Sequence, residues 1–241
     1  MLLRLFPLLA TFGVVSALAA DTWQWSFDDP AGLPLPQIEG PAQWTEQLDQ
    51  TVTTGRGALR IRRGLRSIPN SYVPLPAEWR DQPLWLTLRI SGWNLSGRTG
   101  ETLRLGFSAT AHESNPAVLA QVRITREREV VQLFGESPRG DAPLGPHPLA
   151  PATSNRPVTI VLYVNPSLRR YAVLYRVDGQ RTLLGGRNSG DWRTLGEGTL
   201  TDSRKARYLR FGVVGPFNSN RSEFFDLDEL IVGTAKPAEL P

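Results

Sequence analysis

Short runs in which apolar and polar residues alternate, each closed by proline or glycine, recur along almost the whole chain. A period of two places successive side chains on opposite faces of an extended backbone, so each run reads as a strand with one buried face. The runs are Thr22 to Phe27, Ala58 to Arg62, Ser71 to Val73, Leu84 to Trp93, Thr102 to Thr110 and Val118 to Thr125. They continue with Glu129 to Phe134, Val158 to Asn165, Ala172 to Val177, Arg181 to Leu184, Tyr208 to Val214 and Phe224 to Val232. Asp178-Gly179 between two of them is a two-residue hairpin signal, and the Pro- and Gly-crowded stretch from Ser137 to Pro151 reads as a long loop. The best helical window, Ala42 to Leu48, is too short for more than a turn or two. Many short strands with such turns predict an all-β, two-sheet antiparallel β-sandwich; an up-and-down barrel is the alternative, and the absence of a fixed repeat argues against a propeller.

The N-terminus carries one positive charge at Arg4, an apolar run from Leu5 to Leu18 and the small-residue stretch Ser16-Ala-Leu-Ala-Ala20. That pattern predicts a signal peptide over residues 1–20, a single domain over 21–235 and a short tail over 236–241. No other stretch is long and apolar enough to span a bilayer, so no transmembrane segment is expected after cleavage. The chain has no cysteine, which leaves neither a lipobox thiol to acylate nor a disulfide to form. A domain of roughly 220 residues is large enough to be held by its core alone. The expected destination is the periplasm, the cell surface or the medium of a bacterium. Of the net charge of +4, one unit belongs to Arg4, and lysine occurs only at Lys205 and Lys236. Arginine interspersed with acidic residues, in an exported chain, argues against nucleic acid as a partner.

Several segments together resemble the concanavalin A-like and laminin-G-like jelly rolls. Gly55-Arg-Gly-Ala58-Leu-Arg60-Ile is similar to a glycine-led strand of that superfamily, and Tyr72-Val-Pro-Leu-Pro to the short strand after it. Tyr175-Arg-Val-Asp178-Gly179 resembles its "lYvDG" hairpin. Trp25-Ser-Phe27-Asp28-Asp29 and Phe225-Asp226-Leu-Asp228-Glu229-Leu-Ile-Val resemble its first and last strands. The resemblance implies a jelly roll and carbohydrate or another cell-surface ligand as partner, and it hosts binding modules and enzymes alike. It also implies that the first and last strands are neighbours. Asp28, Asp29, Asp226 and Asp228 could then converge as ligands for a structural calcium ion, and no other cofactor is expected. Local capping of backbone amides by the same side chains is the alternative.

Parity also defines a polar face. Trp85 and Arg89, Arg104, Gln121 and Arg123, and Tyr208 and Arg210 each oppose the apolar positions of their own strands. On one sheet they would form a surface of aromatics and guanidinium groups suited to an acidic polysaccharide. Gln121-Val-Arg123 and Tyr208-Leu-Arg210-Phe-Gly212 resemble the "Q-x-H" and "Y-x-K-x-G" strands of alginate-lyase-type jelly rolls. Arginine stands where those enzymes carry the histidine, and arginine does not act as a base. Tyr208 is then the one catalytic candidate, with His112 and His147 placed in loops. Three readings stay open: a non-catalytic carbohydrate-binding domain, a polysaccharide lyase or hydrolase, and a structural or adhesion protein of the envelope. N-terminal sequencing of the exported protein is expected to begin at Ala20 or Asp21.

Overall fold

In the computed structural model the described residues are 22–45, 51–62, 70–95, 102–111, 118–137, 142–151, 153–177, 192–200, 204–214 and 223–241. The predicted helical window is irregular over residues 42–45 and otherwise lies outside them, as do the signal sequence, His112, the Asp178-Gly179 turn and the run from Arg181. The strands are β1 (Thr22–Trp25), β2 (Val52–Thr53), β3 (Leu59–Ile61), β4 (Asn70–Pro74), β5 (Leu84–Asn94), β6 (Thr102–Ser108), β7 (Val118–Glu127) and β8 (Val130–Glu136). They continue as β9 (Leu144–Pro151), β10 (Thr153–Ser154), β11 (Val158–Asn165), β12 (Arg170–Val177), β13 (Arg193–Thr199), β14 (Tyr208–Val214) and β15 (Phe224–Gly233). Their ladders sort into two antiparallel sheets, so the all-β sandwich expectation holds. Sheet A runs β13-β12-β11-β5-β15-β3-β2, with β1 along β15 and β10 along β5; sheet B runs β4-β14-β6-β7-β8-β9.

Alternation decides what lies between the sheets. Leu84, Leu86, Leu88 and Ile90 of β5 and Val158, Ile160, Leu162 and Val164 of β11 are fully buried, as are Phe107, Ile124, Leu133 and Phe211 from sheet B. Burying each such side chain contributes on the order of 1.5–3 kcal/mol, the main stabilising term in a chain without cross-links. Tryptophans close one side. Trp79, Trp23, Trp25, Trp44 and Phe211 form a chain of rings with successive centroids 5.0, 6.2, 5.6 and 5.9 Å apart. It begins at a 3₁₀ turn (Ala77–Trp79), passes through β1 and ends on β14, tying sheet A to sheet B. Trp44 and Trp79 therefore lid the core.

Besides the two-residue strands β2 and β10, two longer strands appear where alternation gives no signal. Pro146, Pro148 and Pro151 argue for a loop, yet β9 forms on the rim of sheet B, where among the described residues it pairs with β8 alone and its other side needs no ladder donors. β13 has the same position on sheet A. Its Gly198 is required by packing, since a Cβ there would stand 2.4 Å from the ring of Tyr171. The tail is part of the fold. Leu240 is buried, Trp192 Nε1 donates to the carbonyl of Glu239 at 2.8 Å, and Arg176 lies over the Trp192 ring. The tail thus packs against Trp192, which lies beside Arg176 of β12.

The strand placement of β9 also gives His147 a partner. Its Nε2 lies 2.6 Å from the Tyr175 hydroxyl, with the two rings stacked at 4.5 Å, which latches sheet B to β12 of sheet A. Burial, then Arg193, pushes the His147 pKa down. The unfolded chain therefore binds the proton more readily, and the stability this contact gives is present above the ordinary histidine value of about 6.5 and lost as pH falls below it. Urea unfolding at about pH 7.5 and 5.5 is expected to show a larger loss of midpoint for the parent chain than for His147→Gln.

Candidate functional site

The outward residues of β14, β6, β7 and β8 fall into two cross-strand rows on sheet B. Arg210, Gly106, Gln121 and Glu136 stand opposite one another in the first, and Gly212, Arg104, Arg123 and Phe134 in the second. Glycine and arginine thus alternate along the middle strands. With no side chain at Gly106, Arg210 reaches across β6 and donates through Nη1 to Gln121 Oε1 at 2.9 Å. The gap is needed for packing too, because a Cβ on Gly106 would lie 2.1 Å from the carbonyl oxygen of Ala120. Gln121 Nε2 donates in turn to Glu136 Oε2 at 2.9 Å. Arg123 Nε donates to the other oxygen of Glu136, and its guanidinium carbon sits 3.7 Å above the centre of the Phe134 ring.

Arg210 and Gln121 are 3% and 2% exposed, so they form the floor of the cluster. Both ends of the Gln121 amide are engaged, which makes it a positioning residue. Arg104 and Arg123 are half-buried and form the accessible layer. Burial pulls the Arg104 guanidinium below the ordinary arginine range; Glu136 opposes this, while Arg210 and Arg123 add to it. Arg104 Nε is buried and has no hydrogen-bond partner. A buried donor left unmade is costly, and Arg104 is repelled by both Arg210 and Arg123. Glu136, Phe134 and Tyr72, which pairs across from Arg210, complete the face. Their signal in the sequence is the polar parity of Gln132, Phe134 and Glu136, which carries an aromatic and a carboxylate out of the core.

Two residues of the expected face lie elsewhere. β5 pairs with β11 and β15 in sheet A, so Trp85 and Arg89 point out of the opposite side of the sandwich. There Trp85 stacks on Tyr163 at 4.4 Å, and Arg89 is cross-strand from Thr159 and Glu229. Tyr208 does stand on the sheet B face, half-buried beside Tyr72 with ring centroids 6.2 Å apart and planes at 80°.

The four aspartates do not gather. The first and last strands are neighbours, since β1 pairs with β15. Asp226, however, gives both oxygens to Arg60, at 2.7 and 2.6 Å, and Asp29 accepts from the Glu39 amide at 3.3 Å. Asp28 lies near Gly57, and the β5–β15 ladder slips at Asp228, which breaks the parity that would align it with Asp226. Among the described residues no three histidine, aspartate or glutamate side chains form a metal-binding group. Asp226, whose two oxygens accept from Arg60, is not grouped with the other three aspartates, so the described residues assemble no calcium ligand set.

No family model matches the chain, and no curated protein matches it. Among solved structures it is similar to a xylan β-1,4-xylosidase from Bacillus halodurans C-125, at 14% identity and a TM-score of 0.52 over 87% of this chain and 38% of that one. The chain thus spans well under half the length of that protein. It is also similar to lectin II from Ulex europaeus, at 8% identity and TM-score 0.46 over 88% and 97% of the two chains. A third is the CBM2 module of the evolved Dit of Lactobacillus casei BL23 phage J-1, at 10% identity and TM-score 0.43 over 92% and 94%. At these identities the xylosidase likeness shows the fold, a β-sandwich, and nothing of its chemistry.

The charge arithmetic of the cluster is testable through stability. Glu136→Gln is expected to cost about 1.5–3 kcal/mol, by removing an ion pair that is largely screened from water. Arg104→Gln should be less damaging in that background than in the parent, by about 0.5–3 kcal/mol, since Glu136 no longer offsets its repulsion by Arg123 and Arg210. Denaturant unfolding of the four proteins measures both.

Proposed function

We propose that this chain is an exported, non-catalytic carbohydrate-binding domain of the concanavalin A-like kind, taking an acidic polysaccharide on the outer face of sheet B. One observation carries the reading: Arg104, Arg123 and Arg210 gather on one half-buried surface, where Arg123 pairs with Glu136 and the buried Nε of Arg104 has no hydrogen-bond partner. Guanidinium groups bind carboxylates and sulfates through paired hydrogen bonds, and a partly dry surface strengthens each of them. Arg104 supplies the donors left unsatisfied, Arg123 is held flat by Phe134 and Glu136, and Tyr208 with Tyr72 offers an aromatic margin on which a sugar ring can stack. The signal sequence expected over residues 1–20 supports export, and the segments similar to laminin-G-like strands support the family.

One observation favours a lyase. β14 and β7 flank β6, so the segments resembling lyase motifs lie one strand apart on the same face, with Arg210 bonded to Gln121. Against it, abstraction of a sugar C–H proton needs a base, and the position of the histidine is Arg123. The carboxylate beside it, Glu136, is tied to that arginine.

Retention on alginate and polygalacturonate gels, with elution by salt and none on neutral dextran, is the expected result. Arg104→Gln should weaken retention about tenfold while leaving the circular dichroism spectrum unchanged. Absence of retention on every polysaccharide, acidic ones included, overturns the reading. Growth of absorbance from an unsaturated product, abolished by Tyr208→Phe, would replace it with the lyase.

A further inference from the structure

The glycine-led motif at residues 55–61 takes no part in the sheet B face, and it builds a second basic site at the opposite end of the other sheet. Gly55 and Gly57 adopt φ of 68° and 69°, the left-handed region that glycine enters without strain. Thr54 N donates to the Ala58 carbonyl at 2.8 Å and Arg56 N to Thr54 Oγ1 at 3.2 Å. A Cβ on Gly55 would lie 2.9 Å from that of Ala31. The β2–β3 loop is thereby held in one shape with Arg56 between its two glycines. β3 turns Leu59 and Ile61 into the core, so Arg60 points outward, and Arg62 follows two residues later with the same parity.

Arg56, Arg60 and Arg62, with Val52, Thr53 and Thr54, line a cavity of about 580 Å³. That volume falls within the range of small-molecule sites and holds a charged sugar ring. Arg60 is fixed in place by its two bonds to Asp226 and by the Phe224 ring 3.9 Å from its guanidinium carbon. Asp226 therefore balances Arg60. Among the described residues neither Arg56 nor Arg62 makes an ion pair, and Arg62 Nε is buried with no hydrogen-bond partner. A cavity with this lining asks for a ligand that brings negative charge and acceptors in a plane. Neutral sugars bring neither.

We propose that this cavity is an oxyanion site that takes a carboxylate or sulfate group borne on a sugar polymer. Arg62 and Arg56 hold the group, Thr54 adds a hydroxyl donor, and Arg60 forms the rigid back wall. The inference is independent of the sheet B face, which lies on the other sheet. If both sites bind, one long acidic chain or two chains can be held at once, with a gain in avidity.

The test uses the full exported chain with three probes: inorganic sulfate, dextran sulfate and polygalacturonate, with neutral dextran as control. Sulfate is expected to shift the Nε–Hε NMR signal of Arg62, identified by its loss in Arg62→Lys. Arg56→Gln and Arg62→Gln should each weaken binding of the preferred anionic polymer about tenfold. Binding of sulfate but of neither polymer would overturn the polymer assignment. Parent-like binding of all probes by both Gln variants would overturn the site. If Arg62→Gln does not fold, Arg56→Gln decides, since Arg56 is exposed on its loop. Loss of polymer binding in Arg104→Gln with none in the β2–β3 variants would leave the sheet B reading standing and remove this one; the reverse pattern would do the opposite.

Discussion

Everything in this protein depends on burying two apolar sheet faces against each other with no covalent link between them. The pleat dictates that each strand burying one face must show the other to the outside. Filling the core therefore exports every polar residue of the central strands to one of two outer surfaces. The aromatic chain from Trp79 through Trp25 and Trp44 to Phe211 closes the sandwich on one side, and the His147–Tyr175 contact joins the sheets where β9 and β12 lie in different layers.

The outer faces serve different ends. On sheet A, Thr87 and Val161 are buried although they point away from the core, and Trp192 bonds the tail. On sheet B the glycines of β6 and β14 open space between strands, and arginines fill it. A buried guanidinium is tolerated when its hydrogens find acceptors, and the run from Arg210 through Gln121 to Glu136 and Arg123 supplies them. What the run does not supply is an acceptor for the buried Nε of Arg104, and that unmet donor is the physical basis for expecting an anionic ligand. Arg60 shows the balanced case: its pKa is raised by the hydrogen bond to Asp226, with burial opposing and the charge of Asp226 reinforcing it.

Much of the fold was legible because alternation is a local property. Leu84 to Ile90 reads as a strand from its own residues, and it is one. β9 and β13 were not legible, because a rim strand needs only one satisfied side and tolerates the Pro146 and Gly196 that argue against a central strand. The candidate site was legible in part. Arg104, Gln121, Arg123 and Arg210 were separated from the core by parity alone, and they do meet. Glu136, the group that organises them, lies just past the predicted end of its strand. Asp226 reads as a metal ligand only while Arg60, 166 residues away in sequence, is left out of account.

The sequence by itself determined which side of each strand faces the core, since that depends on spacing within a few residues. It determined as well that the chain must fold without disulfides. Only the tertiary structure decided which strands share a sheet. Strand pairing is a choice among distant segments made by collective packing and register, and no local pattern encodes it. That choice sends Trp85 and Arg89 to one side of the sandwich and gathers Arg104, Arg123 and Arg210 on the other.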